Sequence, residues 1–70
     1  MNTAKEDAYA AALAKAVKLL DTKGAKSEDV LDALRGYHKA KSALIGYDDG
    51  WTEPTLKEIA KRHIRPPGLK

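Results

Sequence analysis

The side chains best suited to acid–base or nucleophilic chemistry are two histidines, His38 and His63, and two serines, Ser27 and Ser42. Histidine exchanges a proton most readily near neutral pH, and a catalytic serine needs such a base within hydrogen-bond reach. His38 and Ser42 are four residues apart, a spacing that lets two side chains meet on one face of a helix. Because such pairs are frequent by chance and a catalytic site also needs an orienting group, we expect structural roles for both and a protein that is not an enzyme.

Metal and cofactor sites also lack a recognisable pattern. The chain contains no cysteine, which excludes disulfides and thiolate metal sites and fits a reducing compartment. The acidic segment 48–50 lacks the alternating oxygen ligands of a calcium loop and is typical of a turn. No glycine-rich phosphate-binding loop occurs. We therefore predict a cytoplasmic protein without a metal ion or a cofactor.

Positive charge is concentrated toward the C-terminal end of the chain. The formal net charge is +3, and residues 51–70 carry five basic residues against two acidic ones. The basic cluster consists of Lys57, Lys61, Arg62, His63, Arg65 and Lys70. Positive charge near a helix C-terminus is favourable by itself, so these side chains could form a solvated helix face. They could equally contact an acidic protein or the phosphates of a nucleic acid.

The first helix is predicted from its start signal and its apolar spacing. Thr3 and Glu6 have the spacing of a capping box, in which each side chain binds the backbone N–H of the other residue. The apolar stripe that follows comprises Tyr9, Leu13, Ala16, Val17 and Leu20. Gly24 suits the left-handed position that ends a helix. We predict a helix over about residues 4–23, and Lys15 and Lys18 interrupt its apolar run, so no membrane-spanning segment is expected.

The second helix is predicted over about residues 28–45. Ser27 suits the N-cap, and acidic residues follow in the first turn, where the helix dipole favours them. The stripe comprises Val30, Leu34, Tyr37, Ala40 and Leu44, widened by Leu31, Ala33 and Ile45. Gly36 interrupts the helix at a cost of about 1 kcal/mol relative to alanine. We expect a neighbouring helix to approach closely at this glycine.

The third helix is predicted over about residues 53–64, after a turn at 46–50. Thr52 is predicted as the N-cap, and Trp51 as the residue before it. Trp51 can then pack on Leu56 as a hydrophobic staple. The inner stripe comprises Leu56, Ile59, Ala60 and Ile64, and the outward side chains are Lys57, Lys61 and Arg65. Pro66 is expected to end the helix, because the residue before a proline is disfavoured in the α region.

The segment Thr55–His63 resembles the first helix of a bacterial helix-turn-helix, in which a threonine-led helix carries an Ile-Ala pair on its packing face. That family reads DNA with a second helix in the major groove. Pro66-Pro67 follows here instead. We therefore do not assign the chain to that family, and sequence-specific DNA recognition is not expected.

These patterns predict an all-α fold, with a three-helix domain over residues 1–65 and a short extended tail over 66–70. The first two helices form an antiparallel pair, and the third packs across it. Alanines of the first helix suit packing within the monomer or against a second copy, so the sequence leaves a homodimer open.

The predicted function is that of a non-enzymatic regulatory protein, of the kind that phages and plasmids use to modulate host machinery. It docks on a larger protein through the third helix and the 46–51 loop. The candidate contact residues are Tyr47, Lys57, Lys61, Arg62, His63 and Arg65. The alternative is a nucleic-acid-binding accessory protein whose phosphate contacts come from Lys57, Lys61, Arg62 and Arg65.

Overall fold

The computed structural model describes residues 3–46 and 50–65, and these contain three helices and no strand. Helix α1 spans Ala4–Asp21, α2 spans Ser27–Ile45 and α3 spans Glu53–Arg62. The all-α prediction is confirmed. The predicted extended tail, 66–70, and Tyr47 lie outside the described residues.

Helix α1 begins at the predicted capping box and ends before the predicted position. The Thr3 hydroxyl accepts from the Glu6 backbone N–H at 3.1 Å, and the Glu6 carboxylate accepts from the Thr3 N–H at 3.3 Å. At the other end, the Thr22 hydroxyl donates to the Lys18 carbonyl at 2.6 Å, and Thr22 itself is extended. Because Thr22 already caps this end, the left-handed Gly24 (φ +87°) lies in the following turn and not at the helix terminus.

Helix α2 begins without a side-chain cap, which corrects the assignment of Ser27 as the N-cap. Lys26 occupies that position, its carbonyl accepts from the Val30 N–H at 3.1 Å, and Ser27 is the first helical residue. The end is as predicted. Gly46 adopts the left-handed conformation (φ +83°) that glycine reaches without strain, and it ends the helix after Ile45.

The core is formed by one face of each helix, with α2 in the centre and packed against both neighbours. The buried residues are Ala16 and Leu20 of α1, Val30, Ala33, Leu34 and Tyr37 of α2, and Leu56, Ile59 and Ala60 of α3. The ring of Tyr9 near the start of α1 contacts the ring of Tyr37 in the second half of α2. These two helices therefore run antiparallel, as predicted.

Two isoleucines assigned to the apolar stripes are exposed. Ile64 is 49% exposed and Ile45 is 39% exposed. Ile64 lies beyond the last turn of α3, so the helical periodicity that buries Ile59 and Ala60 no longer applies to it. Ile45 is the last residue of α2, two turns beyond Tyr37, which is the last fully buried residue of that helix.

Gly36 does not mark a close approach between helices. The residue is exposed, and a Cβ built on it would meet no atom within 4 Å apart from its own helix backbone and chain neighbours. The expected neighbouring helix is absent because Gly36 lies about 100° around α2 from the buried Tyr37 and faces solvent. The glycine therefore costs helix propensity without a packing gain.

Gly36→Ala should raise the free energy of unfolding by about 1 kcal/mol, since alanine is the better helix former and the added methyl group has room. Urea denaturation followed by circular dichroism measures the change. An unchanged or lower stability would mean that the structure around this face of α2 differs from the one described.

Candidate interaction surface on the third helix

The two lysines of α3 point away from the core, as their spacing predicts. Lys57 and Lys61 are exposed, whereas Leu56, Ile59 and Ala60 are buried on the opposite side. The N-cap is Thr52, as predicted. Its hydroxyl hydrogen-bonds the Thr55 hydroxyl at 3.0 Å and does not cap a backbone N–H.

The two arginines of the basic cluster form ion pairs with carboxylates of the chain itself. Arg62 lies 2.6 Å from a carboxylate oxygen of Glu58, one turn earlier in α3. The guanidinium of Arg65 donates to both carboxylate oxygens of Asp21, at 2.5 and 2.6 Å, and so joins the residue after α3 to the end of α1. Because all four side chains are substantially exposed, each pair adds little stability.

His63 ends α3 in a left-handed conformation, with φ +51° and ψ +43°. Its N–H donates to the Ala60 carbonyl and the Ile64 N–H donates to the Ile59 carbonyl, both at 3.3 Å. These two bonds are those of a Schellman motif, which satisfies carbonyls left over at a helix C-terminus. The helix therefore ends at His63 and not at Pro66, and the half-buried imidazole lies at the turn.

Replacing His63 with glycine should stabilise the domain. A non-glycine residue in the left-handed region costs about 1–2 kcal/mol, and glycine removes most of that strain while losing some entropy on folding. We expect a net gain of about 0.5–1 kcal/mol in the free energy of unfolding by urea denaturation. A loss of stability would indicate that contacts of the imidazole outweigh the backbone strain.

The first turn of α3 is joined to α2 by an ion pair between residues 35 and 53. The guanidinium of Arg35 binds both carboxylate oxygens of Glu53, at 2.6 and 2.9 Å, and also contacts Asp32 at 3.3 Å. The hydrogen bonds that Arg35 donates to Glu53 lower the pKa of Glu53 and raise the pKa of Arg35. This contact joins the start of α3 to the first half of α2.

The Glu53 pair makes a pH-dependent contribution to stability. Because the pKa of Glu53 is lower in the folded state than its ordinary value of 4.5, the contribution is complete above that value and is lost as the pH falls through the folded pKa. Glutamine does not titrate, so the stability of Glu53→Gln should not contain this acid-dependent contribution. We expect the stability difference between the wild type and Glu53→Gln, followed from about pH 7 to pH 2, to shrink toward the acid end. A constant difference would contradict the pairing.

Aromatic rings connect α1, α2 and the start of α3. The Tyr37 ring lies 5.7 Å from that of Tyr9 and 5.9 Å from that of Trp51, measured between centroids. The His38 ring stacks on Trp51 at 5.9 Å with an interplanar angle of 9°, and the Lys41 ammonium lies 5.4 Å from the Trp51 ring. Trp51 is half-buried in this cluster. Its staple contact with Leu56 stays a prediction.

His38 and Ser42 do not form the hydrogen bond that a catalytic pair requires. The imidazole stacks on Trp51, and the Ser42 hydroxyl is buried with no hydrogen-bond partner within the described residues. Residues 3–46 and 50–65 enclose no pocket, and they contain no group of three or more histidine or acidic side chains placed to hold a metal ion. None of the described helices is long and apolar enough to cross a membrane.

Comparisons with protein-family models, with curated proteins and with solved structures found no match. The surface is therefore interpreted from its own geometry. The structure brings Arg62, His63, Ile64 and Arg65 together at one end of α3, beside Asp21, with Lys57 and Lys61 along the helix.

Sequence reasoning missed two features of this surface. The exposed position of Ile64 depends on the left-handed turn at His63, where no glycine marks the turn in the sequence. The Arg35–Glu53 pair joins residues 18 apart, and it could be anticipated only from the way α3 docks on α2. Glu53 follows the Thr52 cap in the sequence, but no local pattern identifies Arg35 as its partner.

Proposed function

We propose that the chain is a non-enzymatic interaction module, a small cytoplasmic regulatory protein that docks on a larger protein through α3, its C-terminal turn and the 46–51 loop. The observation that carries the proposal is the position of Ile64. This side chain is 49% exposed and lies between Arg62 and Arg65 in the chain. The cytoplasmic location rests on the absence of cysteine.

An exposed apolar side chain with a charged rim is characteristic of protein contact surfaces. Single exposed hydrophobic residues are common, but the centre of an interface is apolar, its rim is polar, and arginine is enriched there. Ile64 supplies an apolar centre, and Arg62 and Arg65, paired with Glu58 and Asp21, supply a charged rim.

Nucleic-acid binding is less well supported by the same contacts. Arg62 and Arg65 are both engaged with carboxylates, which reduces the positive potential available to phosphates. Tyr37 is fully buried, and Trp51 is packed against Tyr37 and His38, so neither offers a free ring for base stacking. An isoleucine is also a poor neighbour for a phosphate backbone.

The test is co-purification of the tagged protein with its partner from the native cell lysate, using two charge-reversal variants of equal net change. Lys57→Glu with Lys61→Glu alters α3, whereas Lys15→Glu with Lys18→Glu alters the exposed side of α1. We expect the partner to be lost with the α3 variant only. Equal retention or equal loss in both variants would contradict docking through α3, and a nucleic acid in the eluate that dissociates steeply with salt would favour phosphate contacts.

A further inference from the structure

Within residues 3–46 and 50–65, three carboxylates that border α3 are each bound by an arginine. Glu58 pairs with Arg62, and Asp21 pairs with Arg65. Both oxygens of Glu53 accept hydrogen bonds from Arg35. The negative charge of these three carboxylates is therefore already engaged by guanidinium groups.

Among the described lysines and arginines of α3 and its C-terminal turn, Lys57 and Lys61 are the two without an ion pair. Both side chains are exposed, and neither forms an ion pair within the described residues. Lys57 attracts Glu53 electrostatically, but the Glu53 oxygens are hydrogen-bonded to Arg35. Residues four apart on a helix are neighbours about 5–6 Å apart at their Cβ atoms. The two ammonium groups therefore present a pair of positive charges one helical turn apart.

Ile64 lies close to this pair along the chain. It follows Lys61 by three residues, beyond the left-handed turn at His63, and its side chain is 49% exposed. Protein interfaces typically cover about 800 Å² on each partner. The short stretch of chain from Lys57 to Ile64 is within the width of one such contact.

We infer that this surface binds an acidic segment of a partner protein that also carries an apolar side chain. Lys57 and Lys61 pair with two carboxylates of that segment, and the apolar side chain packs on Ile64. The inference rests on the proposed function and adds the chemistry of the partner. Uncompensated lysines select negative charge, and the exposed isoleucine favours a peptide over a phosphate backbone, which has no apolar group to cover it.

Selection of random fifteen-residue peptides displayed on a surface tests this inference directly. Against the wild-type chain we expect enrichment of peptides that combine two or more acidic residues with a large apolar residue. Against Lys57→Glu with Lys61→Glu the preference should reverse to basic peptides, because like charges facing each other repel. Peptides selected on the wild type should bind this variant at least about tenfold more weakly in fluorescence anisotropy. Circular dichroism confirms that each variant keeps its helices.

The controls separate this inference from the proposed function. Lys15→Glu with Lys18→Glu should leave the affinity of the selected peptides unchanged, and Ile64→Ser should weaken it severalfold. Absence of enrichment, selection of peptides without acidic residues, or equal effects of the two charge reversals would overturn the inference. If the partner still co-purifies through α3 in that case, α3 binds a partner surface of another composition and the proposed function stands. If α3 also proves irrelevant to co-purification, both fail.

Discussion

Tyr37→Ala should leave most of the chain unfolded at room temperature. Among residues 3–46 and 50–65, Tyr37 is the largest side chain with no exposed surface, and its ring contacts the rings of Tyr9 and Trp51. Truncating a buried aromatic residue typically costs about 3–5 kcal/mol. A domain of this length without disulfides or metal rarely has a total stability above about 3–5 kcal/mol. The helical signal in far-UV circular dichroism should therefore fall to that of a largely unfolded chain.

Tyr37→Phe is the matched control, because it keeps the ring and both ring contacts. Its effect should stay within about 1.5 kcal/mol, the usual range for a single hydroxyl group. A Tyr37→Ala variant with a urea midpoint near that of the wild type would mean that the core is not built around this ring. Similar losses of unfolding free energy in Tyr37→Ala and Tyr37→Phe would instead mean that the Tyr37 hydroxyl, and not the ring, provides the stability.

Trp51→Ala should destabilise the domain by about 2–4 kcal/mol, with α3 affected most. The variant loses the partial burial of a large apolar ring and its aromatic contacts, which contribute about 0.5–1.5 kcal/mol each. Trp51 stacks on His38 and lies immediately before the Thr52 cap, so its loss removes a contact between α2 and the start of α3. Amide hydrogen exchange should reveal earlier loss of protection in α3 than in α1.

Trp51→Phe keeps an aromatic ring at this position and should lose less than half as much stability. If Trp51→Ala leaves both stability and exchange unchanged, the ring does not support the fold. Loss of partner binding in that stable variant would make Trp51 a contact residue of the docking surface.

Local signals in the sequence predict the helices well, because each depends on residues close in the chain. The Thr3 capping box, the Gly46 end of α2 and the Thr52 cap all lie where the sequence places them. Most apolar stripe residues are also buried as their spacing predicts. The side of α3 that presents Lys57 and Lys61 follows from the same periodicity.

Features that depend on tertiary packing could not be predicted in this way. The ion pair between Arg65 and Asp21 joins residues 44 apart, and it forms only because α3 runs back toward the end of α1. Gly36 within the second helix predicts close contact with another helix, yet a Cβ built on it meets no atom of another helix within 4 Å. Pro66 was the visible stop signal for α3, but the left-handed turn at His63 ends the helix first.

The affinity of the co-purified partner for two isoleucine variants tests the docking surface most directly. Ile64 and Ile45 are the two exposed large hydrophobic residues of the described chain, at 49% and 39%, and neither contributes to the buried core. Titration calorimetry with Ile64→Ser should give a Kd at least about tenfold higher than that of the wild type, corresponding to about 1.4 kcal/mol. Ile45→Ser should leave the Kd unchanged. Equal affinities for Ile64→Ser and the wild type would contradict docking through the end of α3.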